Sequence, residues 1–246
     1  MNIRLYLVIA CAGFLFSCGS SSDDNPAPPP AEKERIPLLF SFSESAQGFE
    51  IEVADYQVEH EDNDKIISKI SQLPEPYEYR KGIEFGWFNY SADIKGYIKK
   101  RIDVLSPSTM YDVNFKVDIL TIESEECSGA GGGPGSSVQV KSSILPSEPN
   151  RFISNEGDVG TYRVDINDGQ GGGEDVVYLG SIGLPISCEA HIESPTWEIK
   201  TLSNSESFSM STGSTGEAWI YVSIDSGFEG ATTVYITDVE IEFEER

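Results

Sequence analysis

Histidine is scarce in this chain of 246 residues, which contains only His60 and His191. Catalysis by a Ser-His-Asp or Cys-His group needs a well-placed histidine, and His60 lies in an acidic run that is typical of a solvated loop. The sequence also lacks a Gly-x-Ser-x-Gly elbow and a His-Glu-x-x-His helix. Serine, cysteine and zinc hydrolases are therefore disfavoured. A glycosidase needs only two carboxylates, so that class of enzyme stays open.

Basic residues are few as well: 17 lysines and arginines stand against 41 acidic residues, for a net charge of −24. Such a chain repels the phosphates of nucleic acids and the anionic headgroups of membranes. We expect no nucleic acid partner, and any membrane attachment must come from something other than a basic surface.

Long apolar runs are missing except for residues 5–16, which follow a single basic residue. This run is too short for a conventional spanning helix, and its order predicts a secretory signal peptide over residues 1–17. The small residue directly before Cys18 resembles the lipobox of bacterial lipoproteins, whose cysteine is diacylated and becomes the new N-terminus. The resemblance implies a lipid anchor on Cys18. An ordinary signal peptide with an incidental cysteine is the alternative.

Residues 18–35 are rich in serine, proline and charge and have no hydrophobic period, which predicts a solvated tether. Three serines and two aspartates close to Cys18 resemble the acidic export signals on surface lipoproteins of the Bacteroidota. We therefore expect a lipid-anchored protein of the cell outer membrane that is exposed at the surface. A tether that faces the periplasm is the alternative.

Cysteine is limited to four residues. Cys11 lies in the signal peptide and Cys18 is assigned to the lipid, which leaves Cys127 and Cys188. Two remaining cysteines in an exported chain most simply form a disulfide. A catalytic thiol or a metal site is the weaker reading, because neither cysteine belongs to a Cys-x-x-Cys pair.

A helical period is nearly absent after the tether, where apolar and polar residues alternate instead. The alternation extends over residues 111–119 and again over 234–243. It indicates strands with one buried face, and turn-forming residues separate them. We predict one all-β domain over residues 36–246, a two-sheet β-sandwich or jelly roll of about ten strands. Residues 66–73 fit a short helix about as well as a strand.

Segment 102–115 contains a proline turn that leads into a strand at Tyr111. The tyrosine hydroxyl is expected to cap the corner while its ring enters the core. This corner resembles those of fibronectin type III domains and of carbohydrate-binding jelly rolls. Segments 40–50 and 89–102 further resemble galactose-binding-like modules, and the glycine-rich loops resemble a group of uncharacterised bacterial exported proteins. The resemblance implies a jelly roll and transfers no activity.

Sugar-binding sites combine exposed aromatic rings with carboxylates and amides that bond to hydroxyl groups. The aromatic residues between 85 and 90 cannot all face one core if their strand is regular. The predicted ligand-binding residues are Trp87, Tyr90, Asp93, Trp197, Asp225 and Phe228. For each aromatic residue, packing in the core is the alternative.

Galactose-binding-like modules often hold a structural calcium ion between an early acidic residue and one on the final strand. Glu44 and Asp238 occupy comparable positions, so the resemblance implies a calcium site there. The acidic loop that begins at Asp165 also resembles the start of a calcium loop but departs from that pattern afterwards. A charged hairpin loop is favoured for this second segment.

These observations predict a non-catalytic, surface-exposed lipoprotein that binds a polysaccharide or oligosaccharide. A structural or adhesive surface protein that recognises another protein is the first alternative, and a glycosidase is the second. The sequence does not indicate an oligomeric state.

Overall fold

The computed structural model describes residues 33–60, 66–90, 93–155, 159–169 and 172–246. The predicted signal peptide, Cys18 and most of the predicted tether lie outside these residues. The described chain is almost entirely β-structure, with fifteen strands where the sequence predicted about ten. The additional strands are mostly short. Residues Lys33–Arg246 form one compact unit.

The larger sheet has seven antiparallel strands. Its path runs through β12 (Glu198–Ser203), β7 (Met110–Thr121), β15 (Ala231–Glu245), β5 (Lys81–Phe88) and β4 (Ile67–Gln72). Two further strands pair alongside this path, β1 (Arg35–Ser41) with β15 and β13 (Phe208–Ser211) with β7. The segment that fitted a helix or a strand equally well is strand β4.

The second sheet has five antiparallel strands. Their order is β11 (Val177–Ser181), β8 (Val138–Leu145), β14 (Ala218–Ser226), β6 (Ile94–Ile102) and β2 (Glu50–Ala54). A small third sheet contains β3 (Tyr56–Gln57), β10 (Thr161–Val164) and β9 (Arg151–Ser154). Within the described residues, the helical segments are a 3-10 turn at Val58–His60 and α1 (Cys188–Glu193).

The main core is built from the inward faces of the two large sheets, in a sandwich-like arrangement. On β7 the alternate residues Val113, Val117 and Ile119 are buried, as the period of two predicts. On β14 the residues Ile220 and Ile224 belong to the same core. Burial of this apolar surface is the main source of stability for the fold.

Two predicted local features are present. The backbone N–H of Ser106 donates to the hydroxyl oxygen of Tyr111 at 2.9 Å, and the Tyr111 ring is buried, so the corner is confirmed. Cys127 and Cys188 form a disulfide with their Cα atoms 4.7 Å apart. This bond ties the loop after β7 to the start of α1.

The outward face of the five-stranded sheet is covered, which the sequence did not predict. Tyr97 and Tyr221 project from this face and form a second apolar cluster with Val164 and Val176. The described residues between β9 and the start of β11 therefore lie over the sheet as a third layer. Polar side chains on the outward face are buried beneath it.

Candidate functional site

The candidate site begins with the outward positions of β14. Tyr221, Ser223 and Asp225 alternate with the core residues of this strand, yet all three are buried. Alternation places them on the face opposite the main core, under the third layer. A buried carboxylate at such a position requires a compensating partner.

Lys95 supplies one compensating charge, because it lies directly across from Asp225 in the β6–β14 pair. Its Nζ is 3.0 Å from Oδ2 of Asp55 and 3.5 Å from Oδ2 of Asp168. It also donates to the carbonyl oxygen of Asp168 at 3.0 Å. Burial by itself would lower the pKa of Lys95, but the neighbouring carboxylates outweigh burial and raise it.

Lys141 on β8 supplies the second buried positive charge. Its Nζ donates to Oδ2 of Asp225 at 2.6 Å and to the carbonyl oxygen of Gly169 at 2.6 Å. Oδ1 of Asp168 lies 2.9 Å from the same nitrogen, outside hydrogen-bonding geometry. One ammonium group therefore joins two strands of the sheet to the third layer.

Asp168 contacts the sheet from the third layer. Its Oδ2 accepts from the hydroxyl of Tyr221 at 2.9 Å and from the hydroxyl of Ser223 at 3.0 Å. Burial and the negative charge of Asp168 raise the pKa of Tyr221. Tyr221 therefore stays protonated as a donor at neutral pH.

Arg163 marks the solvent side of this charge network. Its Nη1 donates to Oδ1 of Asp55 at 2.9 Å and to Oδ2 of Asp93 at 2.7 Å. Its hydrogen bond to Asp93 is the largest of the contacts that raise its pKa. Unlike the lysines, Arg163 and Asp93 are partly exposed.

A cleft of about 250 Å³ opens between these groups. It is lined by Asp55, Asp93, Lys95, Arg163, Val164, Ile166, Asn167, Asp168, Gly169 and Asp225. Donors and acceptors therefore surround a space large enough for a single sugar ring, and ion pairs hold them in place before any ligand binds.

Two carboxylate oxygens of cleft residues make no hydrogen bond to the described residues: Oδ1 of Asp168, which lies beside the ammonium of Lys141, and Oδ1 of Asp225. Oδ1 of Asp225 is buried and makes no hydrogen bond there, whereas Oδ2 binds Lys141. Burial raises the pKa of Asp225, although Lys95 and Lys141 act in the opposite direction. A buried carboxylate oxygen without a donor is an unfavourable arrangement unless something in the cleft supplies one.

An exposed aromatic pair precedes the cleft residue Asp93 in the chain. The rings of Phe88 and Tyr90 are 42% and 52% exposed, and their centroids are 4.7 Å apart. Tyr56 and Ile94 line the small hollow beside this pair. Tyr90 precedes Asp93 of the cleft by three residues, so the aromatic pair lies near the cleft.

The structure brings together some of the predicted ligand-binding residues. Asp93 and Asp225 line the same cleft, and Tyr90 precedes Asp93 by three residues in the chain. Phe228 is half-buried in the β14–β15 loop, where the side chain of Asn89 donates to its carbonyl oxygen at 3.0 Å. It therefore lies at the same end of the domain as the aromatic pair.

Two predicted aromatic residues do not belong to the cleft. Trp87 is 3% exposed and packs in the main core, so the prediction that it stacks on a ligand is wrong. It alternates inward with Phe85, and Phe88 is the residue of this run that points outward. Trp197 packs against Tyr235 of the seven-stranded sheet, with ring centroids 5.5 Å apart, away from the cleft.

Sequence reasoning missed the cationic half of the site. Lys95, Lys141 and Arg163 were not singled out, although a lysine within an apolar alternating strand is a usable signal for a buried ion pair. Asp168 was considered only as part of a calcium loop. Its carboxylate binds lysine, tyrosine and serine side chains instead.

The calcium prediction is not tested by these contacts. Oδ2 of Asp238 lies 2.7 Å from the guanidinium of Arg80, which already balances its charge. Among the described residues, no group of three or more histidine, cysteine, aspartate or glutamate side chains is placed to hold a metal ion. Calcium between Glu44 and Asp238 stays a prediction.

A larger open groove of about 770 Å³ shares Asn167 with the cleft. It lies between residues 172–178 and residues 206–209 and includes the exposed ring of Tyr178. No buried charged side chain lines it, so its polar groups are less rigidly held than those of the cleft. In the described part of the chain, no helix has the length and apolar character needed to span a membrane.

No protein-family model matches the chain, and no curated protein sequence matches it. Several solved structures are similar in fold. TmCBM61 in complex with β-1,4-galactotriose is 12% identical, with a TM-score of 0.34 over 79% of this chain and 88% of that chain. CBM28, a carbohydrate-binding module specific for non-crystalline cellulose, is 10% identical, with a TM-score of 0.32 over 78% and 86%.

An adhesin is similar to the same degree. The K1 cleaved adhesin domain of Lys-gingipain from Porphyromonas gingivalis W83 is 12% identical, with a TM-score of 0.33 over 86% of this chain and 98% of that chain. Likenesses this distant carry no argument about a ligand. Any inference about a ligand must rest on the geometry of the cleft.

Proposed function

We propose that the protein is a non-catalytic glycan-binding module, anchored by a lipid on Cys18 to the outer membrane and exposed at the cell surface. The observation that carries the proposal is the polar cleft, with the exposed aromatic pair near it because Tyr90 precedes Asp93 by three residues. Arg163 and Asp93 lie at the rim, and Asp225 lies at the base.

The cleft has the chemistry that sugar hydroxyl groups require. Each hydroxyl both donates and accepts, so carboxylates and cationic donors side by side satisfy it. The ion pairs of Arg163 with Asp55 and Asp93 fix these groups before binding, which reduces the entropy lost when a ligand is ordered. The cleft is therefore suited to a small, hydroxyl-rich ring.

The aromatic pair supplies an apolar face next to these polar groups. Phe88 and Tyr90 present their rings to solvent, and the C–H face of a pyranose ring packs on such surfaces. Polar contacts fix the orientation of a ligand, while aromatic contacts add affinity. A glycan chain can thus place one ring in the cleft and the next one on the aromatic pair.

The carboxylates of the cleft favour binding over hydrolysis. A glycosidase needs a protonated acid and a free carboxylate on opposite sides of the scissile bond. Here Asp168 and Asp225 share the ammonium of Lys141, and both are held in the wall of the cleft. This arrangement fixes the two carboxylates for recognition.

Retention on insoluble polysaccharides tests the proposal. The purified protein should be retained by at least one member of a panel of cellulose, galactan, xylan, mannan and chitin, without release of reducing ends. Tyr90→Ala should weaken retention, whereas Tyr79→Ala, which changes another exposed tyrosine, should not. Release of reducing ends that depends on a cleft carboxylate would support a glycosidase instead.

Recognition of another protein is the second candidate, and one observation favours it. Phe152 and Ile153 of β9 are both about half exposed, on an outer strand of the small third sheet. If no polysaccharide retains the protein, and Phe152→Ser abolishes capture of one defined surface protein, the adhesive function replaces the glycan-binding one.

The anchor has its own test. Growth with labelled palmitate should label the wild-type protein, and Cys18→Ala should abolish the label. Surface proteolysis of intact cells then separates the surface location from the periplasmic one. A labelled Cys18→Ala variant would contradict the lipid anchor and leave glycan binding untouched.

A further inference from the structure

We propose that the cleft selects glycans whose bound ring carries no carboxylate or sulfate group, and that Asp225 makes this selection by accepting a hydrogen bond from the ligand. The inference rests on the proposed function and names its ligand class. The shared chemistry is a hydrogen-bond donor without negative charge, which is either a hydroxyl group of a neutral sugar or the ammonium group of an amino sugar.

The charges around the cleft are the first step of the argument. Four carboxylates (Asp55, Asp93, Asp168 and Asp225) face three cations (Lys95, Lys141 and Arg163), so one negative charge is in excess when all seven groups are ionised. The chain as a whole has a net charge of −24. An acidic ring would therefore enter a region that is already negative.

The second step is that every one of these cations is already paired. Lys95 lies 3.0 Å from Asp55, Lys141 lies 2.6 Å from Asp225, and Arg163 lies 2.7 Å from Asp93. A uronate or sulfate group could gain a cation only by displacing one of these carboxylates. The displaced carboxylate would then lose one of its cationic contacts, and for the two lysine pairs it would stay buried.

The third step is the acceptor at the base of the cleft. Oδ1 of Asp225 has no donor among the described residues, and the side chain is 3% exposed. A carboxylate oxygen accepts hydrogen bonds and cannot donate one while it is ionised. A ligand hydroxyl or ammonium group can donate the missing hydrogen bond to this oxygen. A ligand carboxylate offers only further acceptors, and its charge repels the carboxylate of Asp225.

Matched pairs of polysaccharides test this selection. Each neutral polysaccharide that retains the protein is compared with its own C6-oxidised form, in which the primary alcohols are converted to uronates. Affinity for the oxidised form should be lower by about tenfold at low salt, because the uronate and the carboxylates of the cleft repel each other. High salt screens this repulsion, so it should reduce the difference in affinity between the neutral and the oxidised polysaccharide. Chitin is neutral and chitosan is cationic. Retention on chitin would therefore identify a neutral ligand, and retention on chitosan alone would identify a cationic one.

Two variants locate the selection in the cleft. Asp225→Asn halves the acceptor capacity at the base, and we expect about tenfold weaker binding of the neutral polysaccharide, as for a hydrogen bond to a charged group. Asp93→Asn removes one negative charge from the exposed rim, where the fold tolerates the change. It should raise affinity for the oxidised form relative to the neutral one. Asp103→Asn, an exposed change elsewhere, should alter neither affinity.

The outcomes separate this inference from the proposed function. Stronger retention on the oxidised forms, or on polygalacturonate and alginate alone, would overturn the selection while leaving glycan binding intact. Equal affinity for both forms, unchanged in Asp93→Asn, would overturn it as well. No retention on any polysaccharide, neutral or acidic, would contradict glycan binding itself.

Discussion

The Nζ atom of Lys141 lies 2.6 Å from Oδ2 of Asp225, and both side chains are buried between the five-stranded sheet and the third layer. The two residues are 84 positions apart in the chain. Their pair, together with Asp168, connects the sheet to the layer that encloses the cleft. The integrity of the candidate site therefore depends on it.

Removal of Lys141 should destabilise the protein strongly. Lys141→Met leaves the carboxylates of Asp168 and Asp225 buried with one cation fewer, and breaking a buried pair costs about 3–5 kcal/mol. Urea denaturation measures the loss. Lys116→Met is the matched control, because the pair of Lys116 with Glu240 is half exposed and should contribute little. Equal, small effects of both changes would contradict the role given to Lys141.

The hydrogen bond at the Tyr111 corner should contribute less to stability than the Lys141 pair. Tyr111→Phe keeps the buried ring and removes the acceptor of the Ser106 N–H. We expect the free energy of unfolding to fall by about 1 kcal/mol. Tyr178→Phe, at an exposed ring, should leave it unchanged. If the two variants unfold at the same denaturant concentration, the hydroxyl does not stabilise the corner.

Glu123 should make the stability of the protein depend on pH in a defined direction. Burial raises the pKa of its carboxyl group above the ordinary 4.5, although His191, 3.9 Å away, lowers it in part. Because the folded state binds this proton more tightly than the unfolded state, Glu123 reduces stability as pH rises through the window above 4.5. Below that window, the Glu123 proton is bound in both states.

Glu123→Gln should therefore be more stable than the wild type at pH 7.5, and the difference should disappear below about pH 4.5. Thermal unfolding at a series of pH values measures this. A variant that is less stable than the wild type at pH 7.5 would show that the ionised carboxylate is instead stabilised there.

The predicted calcium site can be tested directly by measuring thermal stability. An ion between Glu44 and Asp238 would bind only the folded state and raise its stability by about 2.7 kcal/mol at a hundredfold excess over Kd. Chelation of calcium-loaded protein should then lower Tm by several degrees, and Asp238→Asn should remove most of the response. A Tm indifferent to chelator would contradict the ion and leave Arg80 as the partner of Asp238.

The local features were predictable from the sequence because each depends on near neighbours. The alternation at 111–119 follows from one strand with one buried face, and the Tyr111 corner lies within a few residues of its partner. The Cys127–Cys188 pair followed from elimination among four cysteines. These features require no knowledge of the sheet order.

The candidate site was only partly predictable, because it depends on which distant strands meet. Asp93 and Asp225 were identified, but their cations lie on other strands and in the third layer. A local pattern can mark a buried lysine, but it does not show which distant carboxylate that lysine meets. Alternation alone also cannot say which face of a strand meets the core. Trp87 was therefore assigned to the ligand, although Phe88 is the exposed residue.

The most direct test of the account is a crystal structure of the protein with an oligosaccharide that it retains. We predict a sugar ring in the cleft, beside the intact Asp93–Arg163 pair, with a hydroxyl group within hydrogen-bonding distance of Oδ1 of Asp225. A neighbouring ring should lie on Phe88 and Tyr90. A sugar bound instead in the groove beside Tyr178, or against Trp197, with the cleft unchanged, would contradict the account.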